Sequence, residues 1–99
     1  MSLFAIMAWD APDAPRLRQE HLAAHLAYAE AQAHRIAVGG PLRDGDSFTG
    51  SLLIVEAADR AEAQALLDGD PYYQAGVWGR VEVQPFRAVI GTWIGGKTW

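Results

Sequence analysis

Arg18, His21 and His25 stand three and four residues apart in a stretch rich in Ala, Leu, Gln and Glu. If that stretch is helical, the three form one polar row along a margin of the helix. A carboxylate beside such a histidine would accept a hydrogen bond from one ring nitrogen and fix the tautomer. The other nitrogen would then be a base near neutral pH. The candidate carboxylate is Asp70, in Gly69-Asp70-Pro71-Tyr72. Pro71 has its φ fixed and no N–H, which suits the first position of a helical turn, and it pushes Asp70 out of the α region into a cap-like conformation. A side chain held that way aims at one place, either a histidine or the backbone amides that an ordinary N-cap accepts from. Ser51, after Gly50 on an apolar strand, and Tyr72 are further candidates for touching a small ligand, or for simple packing.

Other chemistries fit less well. His21 and His25 are spaced as a metal pair, with Asp70 as a third ligand, but no Glu lies inside the pair and cysteine is absent, so no metal is expected. Without cysteine there is also no disulfide frame and no thiolate nucleophile. Gly91-Thr92-Trp93-Ile94-Gly95-Gly96-Lys97-Thr98 spells a phosphate-loop motif, yet such a loop works through a helix that begins at its Lys, and here only Trp99 follows Thr98. Net charge is −4 and no basic run exists, so no nucleic-acid partner is expected. No stretch approaches the length of a membrane span, and the start lacks the positive n-region of a signal peptide, with acidic Asp10 following almost at once; with cysteine absent as well, a cytoplasmic setting is expected. Trp9 and Trp78 are expected in the core or cleft, with Trp93 and Trp99 lying across a partner subunit.

The elements that must position these residues follow from periodicity. Leu3 to Trp9 is an apolar run closed by Asp10-Ala11-Pro12, as for a strand buried on both faces. Pro15 to about His34 reads as the main helix, with Leu22, Leu26, Ala29, Ala33 and Ile36 as its buried stripe. Ile36–Leu42 is a second strand with Pro41 at an edge or end. Phe48–Glu56 is a third strand, after a polar turn at 43–47. Asp59 caps a helix running to about Leu67, with Glu62 completing a capping box. Val77–Gln84 alternates as a fourth strand broken by Pro85, and an extended segment and a loose tail follow. The order is β-α-β-β-α-β, the ferredoxin-like plait of α+β class, as one domain over 1–94 with a tail at 95–99. Two helices cover one sheet face, so the other apolar face calls for a second copy of the chain.

His25-Leu26-Ala27-Tyr28, Gly40-Pro41-Leu42, Gly50-Ser51-Leu52-Leu53, Asp70-Pro71-Tyr72, Ala75-Gly76 and Pro85-Phe86, in that order, resemble the YciI-like (YCII-related) family over nearly the whole chain. The resemblance implies a dimeric α/β barrel of ferredoxin-like plaits. It also implies a His–Asp pair in a cleft beside the sheet, and among relatives small lyases or dehydrochlorinases of aromatic compounds. The family's Arg-x-x-His-Leu pattern matches Arg18 to Leu22 literally, whereas spacing to Gly40-Pro41-Leu42 fits His25 and puts Leu22 at the Arg position. Spacing sets depth relative to the sheet, and it favours His25. The expectation is a cofactor-independent lyase or isomerase that moves a proton on a small aromatic or acidic metabolite. In it His25 is the acid/base, Asp70 its orienter, and His21, Arg18, Ser51 and Tyr72 the substrate contacts. The alternatives are a non-catalytic metabolite-binding module and a structural dimer.

Overall fold

In the computed structural model, which describes residues 1–99, strand β1 (Ser2–Asp10) forms the middle of a four-stranded sheet. Helix α1 (Ala14–Ala31) leads to β2 (Ile36–Asp44), and a tight turn at Gly45-Asp46 leads to β3 (Ser47–Ala57). Helices α2 (Arg60–Asp68) and α3 (Pro71–Ala75) precede β4 (Trp78–Phe86). The sheet order is β2-β3-β1-β4 with every neighbouring pair antiparallel, which is the ferredoxin-like plait.

Side chains alternate across a strand, and here both alternating sets are apolar. Phe4, Ile6 and Ala8 are buried against Val55, Val83, Leu66 and Leu67 on the helix side. Ala5 and Met7 pair with Ile54 and Leu52 on the opposite face, where Leu52 and Phe86 stay exposed. The unbroken apolar run of β1 is therefore two half-patterns superposed.

The helix starts follow their sequence signals. Asp59 accepts a hydrogen bond from the Glu62 N–H at 2.9 Å, and Glu62 accepts from the N–H of Ala58, one residue before the cap, at 3.4 Å, a shifted form of the expected capping box that opens α2. Asp70 caps α3 with Pro71 at its first position, and Gly76 closes it at φ 79°, a left-handed conformation that favours glycine.

Four expectations are corrected. The stripe on α1 is not buried, since Leu22 and Leu26 are 47% and 55% exposed and Ala14 is the helix's one fully buried residue. Its last turn tightens into a 3₁₀ turn at Ala33–Arg35, so Ile36 belongs to β2. Pro85 does not break β4; it pairs opposite Phe4, and an edge strand tolerates the missing N–H on its open side. The tail is not loose, because β5 (Ile90–Gly91) and β6 (Gly96–Lys97) form a small hairpin around a 3₁₀ turn at Thr92–Ile94. Trp93 and Trp99 are 82% and 69% exposed on this hairpin, and Trp9 is exposed on the outer sheet side.

Candidate functional site

The helix that fails to seal the core instead walls a cavity. Between α1 and the β2–β3 half of the sheet lies a space of about 670 Å³. At about 100° per residue, Arg18, Leu22, His25 and Ala29 fall within a narrow sector of α1, and all four line the cavity. Tyr28 also reaches the cavity from the flank of that sector. Its hydroxyl donates to the Leu66 carbonyl at 2.6 Å, which ties α1 to the end of α2.

His25 Nδ1 and Asp70 Oδ1 are 2.8 Å apart. The same oxygen accepts the Tyr72 N–H at 2.9 Å, so the N-cap and the histidine contact are both made by Asp70 Oδ1. A carboxylate oxygen that already accepts an amide proton makes Nδ1 the donor and leaves Nε2 unprotonated in the neutral ring. Nε2 has no hydrogen-bond partner in the protein and is not sealed from solvent. Tyr72 stacks on the imidazole with ring centres 3.8 Å apart and planes within 1°, and Trp78 meets both rings nearly edge-on. The Tyr72 hydroxyl donates to the Arg18 carbonyl at 3.0 Å, so the stacking ring is pinned at both ends.

Arg18 forms the second anchor. Its Nε and one terminal nitrogen each donate to an Asp10 carboxylate oxygen at 2.9 Å, a two-point fork at the end of β1. The same terminal nitrogen donates to the Gly50 carbonyl at 3.1 Å and to Ser51 Oγ at 3.4 Å, and the guanidinium lies 5.0 Å from the Phe48 ring centre. Arg18, His25, Ser51, Asp70 and Tyr72 are thus brought to one end of the cavity. His21 is not. It lies about 60° around the helix from Arg18, is not part of the cavity lining, and makes only a 3.9 Å approach to Glu20. No group of three or more His, Asp or Glu converges as a metal site. Trp78 lines the cleft as expected, whereas Asp10, Tyr28 and Phe48 are site residues that the sequence does not single out; Asp10 reads there only as the stop after a strand. Its signal is an acidic residue at a strand end with an arginine about one turn into the next helix.

Gly69 is required by close approach. A Cβ there would meet Tyr28 Oη at 2.5 Å and Cζ at 2.9 Å. Gly69→Ala is therefore expected to lower stability by about 1–3 kcal/mol, the usual cost of overpacking. Tyr28→Phe in the same chain should recover part of that loss in urea unfolding.

Burial, and after it the charge of Asp70, raises the Tyr28 phenol above 10.0. Burial also raises Tyr72, with Arg18 opposing and Asp70 and Asp10 adding. Unfolded phenols lose their protons first. The stability contributed by these two is therefore fully present below pH 10 and lost as pH rises through the folded values. Urea unfolding followed from neutral to strongly alkaline pH should show that decline, and Tyr28→Phe should reduce it.

The fold is a ferredoxin-like plait of α+β class with a His–Asp contact in a cleft under its first helix, and the YCII-related domain profile matches residues 2–87: the chain belongs to the YCII-related family. Among its relatives is Protein YciI of Escherichia coli, 38% identical over 97 residues, covering 89% of this chain and 99% of that protein. The Shigella flexneri protein of the same name matches equally. A solved relative is the 5-chloro-2-hydroxyhydroquinone dehydrochlorinase TftG of Burkholderia phenoliruptrix, in complex with 2,5-dihydroxybenzoquinone. It is 35% identical, with TM-score 0.76 over 91% of this chain and 96% of that one. A Nitrosomonas europaea protein at 21% identity and TM-score 0.51, covering 88% and 89% of the two chains, shares the fold.

Proposed function

We propose that this chain is a cofactor-independent enzyme of the lyase or isomerase type, acting on a small hydroxylated ring. The observation that carries the reading is the 2.8 Å contact of His25 Nδ1 with Asp70 at the wall of a roomy cavity. Nε2 takes a proton from a ring hydroxyl, and Asp70 stabilises the imidazolium that results. The electron pair released into the ring forms a carbonyl. The proton on Nε2 is then returned to a ring carbon; where that carbon carries a leaving group, a second ring hydroxyl gives its proton to Nε2, its electron pair forms a second carbonyl, and the group departs as an anion. Ser51 and Arg18 border the ring's oxygens, and Tyr72 holds the imidazole plane. The dehydrochlorinase relative, which binds a dihydroxybenzoquinone, supports the same substrate class.

The test is turnover of chlorinated and unchlorinated hydroxyhydroquinones, followed by absorbance and by chloride release. Turnover lost in His25→Ala supports the reading. Binding without turnover across the panel would replace it with a metabolite-holding module.

The same proposal includes a cytoplasmic homodimer built through the outer sheet face, where Leu3, Ala5, Met7, Leu52, Ile54 and Phe86 form an apolar surface. No helix is long and apolar enough to cross a membrane. Equilibrium sedimentation at micromolar concentration should give twice the 10.8 kDa chain mass. Leu52→Glu should shift it toward monomer, and a monomeric mass for the unaltered chain would refute the dimer.

A further inference from the structure

We infer that the preferred ligand of this cavity is amphipathic: a hydroxylated ring at the His25–Asp70 end that carries an apolar substituent of several carbons. The inference rests on the functional reading above and extends it, because the cavity is much larger than a single ring and its polarity is confined to one end.

The polar end is a connected cluster. Arg18, Ser51, His25, Asp70 and Tyr72 are linked through contacts of 2.8–3.4 Å and aromatic stacking. Beyond them the walls change character. Leu26, Ala29 and Ala33 from the α1 side line it together with Ile36 of β2 and Leu53 of β3. The only charged residue in that part is Glu30, exposed at the rim. From His25 to Ala31, the end of α1, the helix axis advances about 9 Å. The volume of about 670 Å³ equals roughly twenty waters at ~30 Å³ each, and a single hydroxylated ring fills well under half of it.

The apolar wall is also unfinished. Leu22 and Leu26 are 47% and 55% exposed although both line the cavity. Leucines left wet on an inward-facing sector gain free energy when an apolar group covers them. A ring with an alkyl or aryl arm would put its hydroxyls on the polar cluster and its arm along Leu26, Ala29 and Ala33.

The experiment is a calorimetric titration of the full chain with hydroquinone and with alkylhydroquinones from methyl to hexyl. Each buried methylene contributes about 0.8 kcal/mol, so Kd is expected to fall about fourfold per carbon until the chamber is full. The longer compounds should be displaced by excess unsubstituted hydroquinone. Leu26→Glu puts a charge at a half-exposed wall position, where the fold tolerates it, and should flatten the dependence on chain length. Hydroquinone that binds with no gain from the alkyl arm overturns this inference and leaves the functional reading standing. A gain that hydroquinone cannot compete away, or that survives Leu26→Glu, places the arm elsewhere and also overturns it. If hydroquinone and every alkyl member fail to bind, the functional reading falls and takes this inference with it.

Discussion

His25→Ala is expected to lower turnover by about 10²–10⁴-fold, the usual contribution of a positioned acid–base group. Asp70→Ala should do the same, and the double variant should lose little more than either alone, because residues that act as a unit are not additive. Asp70 needs care, since its Oδ1 both caps α3 and meets His25. Removing the side chain costs the cap about 1 kcal/mol as well. Asp70→Asn separates the two roles: it keeps an oxygen for the Tyr72 amide and removes the charge that stabilises the imidazolium. Activity lost in Asp70→Asn with unfolding little changed supports orientation of the histidine. Activity retained there would leave Asp70 as a cap alone. His21→Ala should change turnover little, because His21 is not in the cavity lining.

Arg18→Met should have the largest effect on stability. Arg18 and Asp10 expose only 12% and 10% of their side chains. Removing one member of so buried a pair strands the other charge and typically costs about 3–5 kcal/mol. Total stability for a domain this size is about 5–15 kcal/mol, so the variant should unfold at much lower urea. Arg18→Lys should rescue only part, since an ammonium cannot reproduce a two-point fork that also reaches the Gly50 carbonyl. Combining Arg18→Met with Asp10→Leu should restore more than either does alone, because no unpaired charge remains. A loss under about 1 kcal/mol for Arg18→Met would class the pair with ordinary surface bridges. The pair also joins the end of β1 to α1 and β3 beside the cavity, so Asp10→Ala should raise KM along with its cost in stability.

Much of this was written locally. The Asp59 cap of α2, the Asp70-Pro71 start of α3 and the apolar strand β1 each depend on a few neighbouring residues and stand where those signals put them, although β1 is buried on its helix side and only half-buried on the other. The βαββαβ order follows from such local signals, and the order restricts the sheet to very few arrangements. The pairing of His25 with Asp70 was reachable because spacing along a helix fixes height, and the proline fixes where the carboxylate starts.

Two features were beyond local reading. The helix period gave the angles between Leu22, His25, Leu26 and Ala29, but not the rotation of the whole helix about its axis. That rotation is set by long-range contacts: Tyr28 to the Leu66 carbonyl, Tyr72 to the Arg18 carbonyl, and Arg18 to Asp10 and Gly50. They turn the Arg18–His25 sector inward and leave the leucine stripe as the wall of a cavity rather than the floor of a core. The sequence by itself thus determined the elements, their order and the chemistry available, because those depend on neighbours in the chain. Only the tertiary structure decided which side of α1 meets the sheet and how much space stays open beneath it, because those depend on residues far apart in sequence.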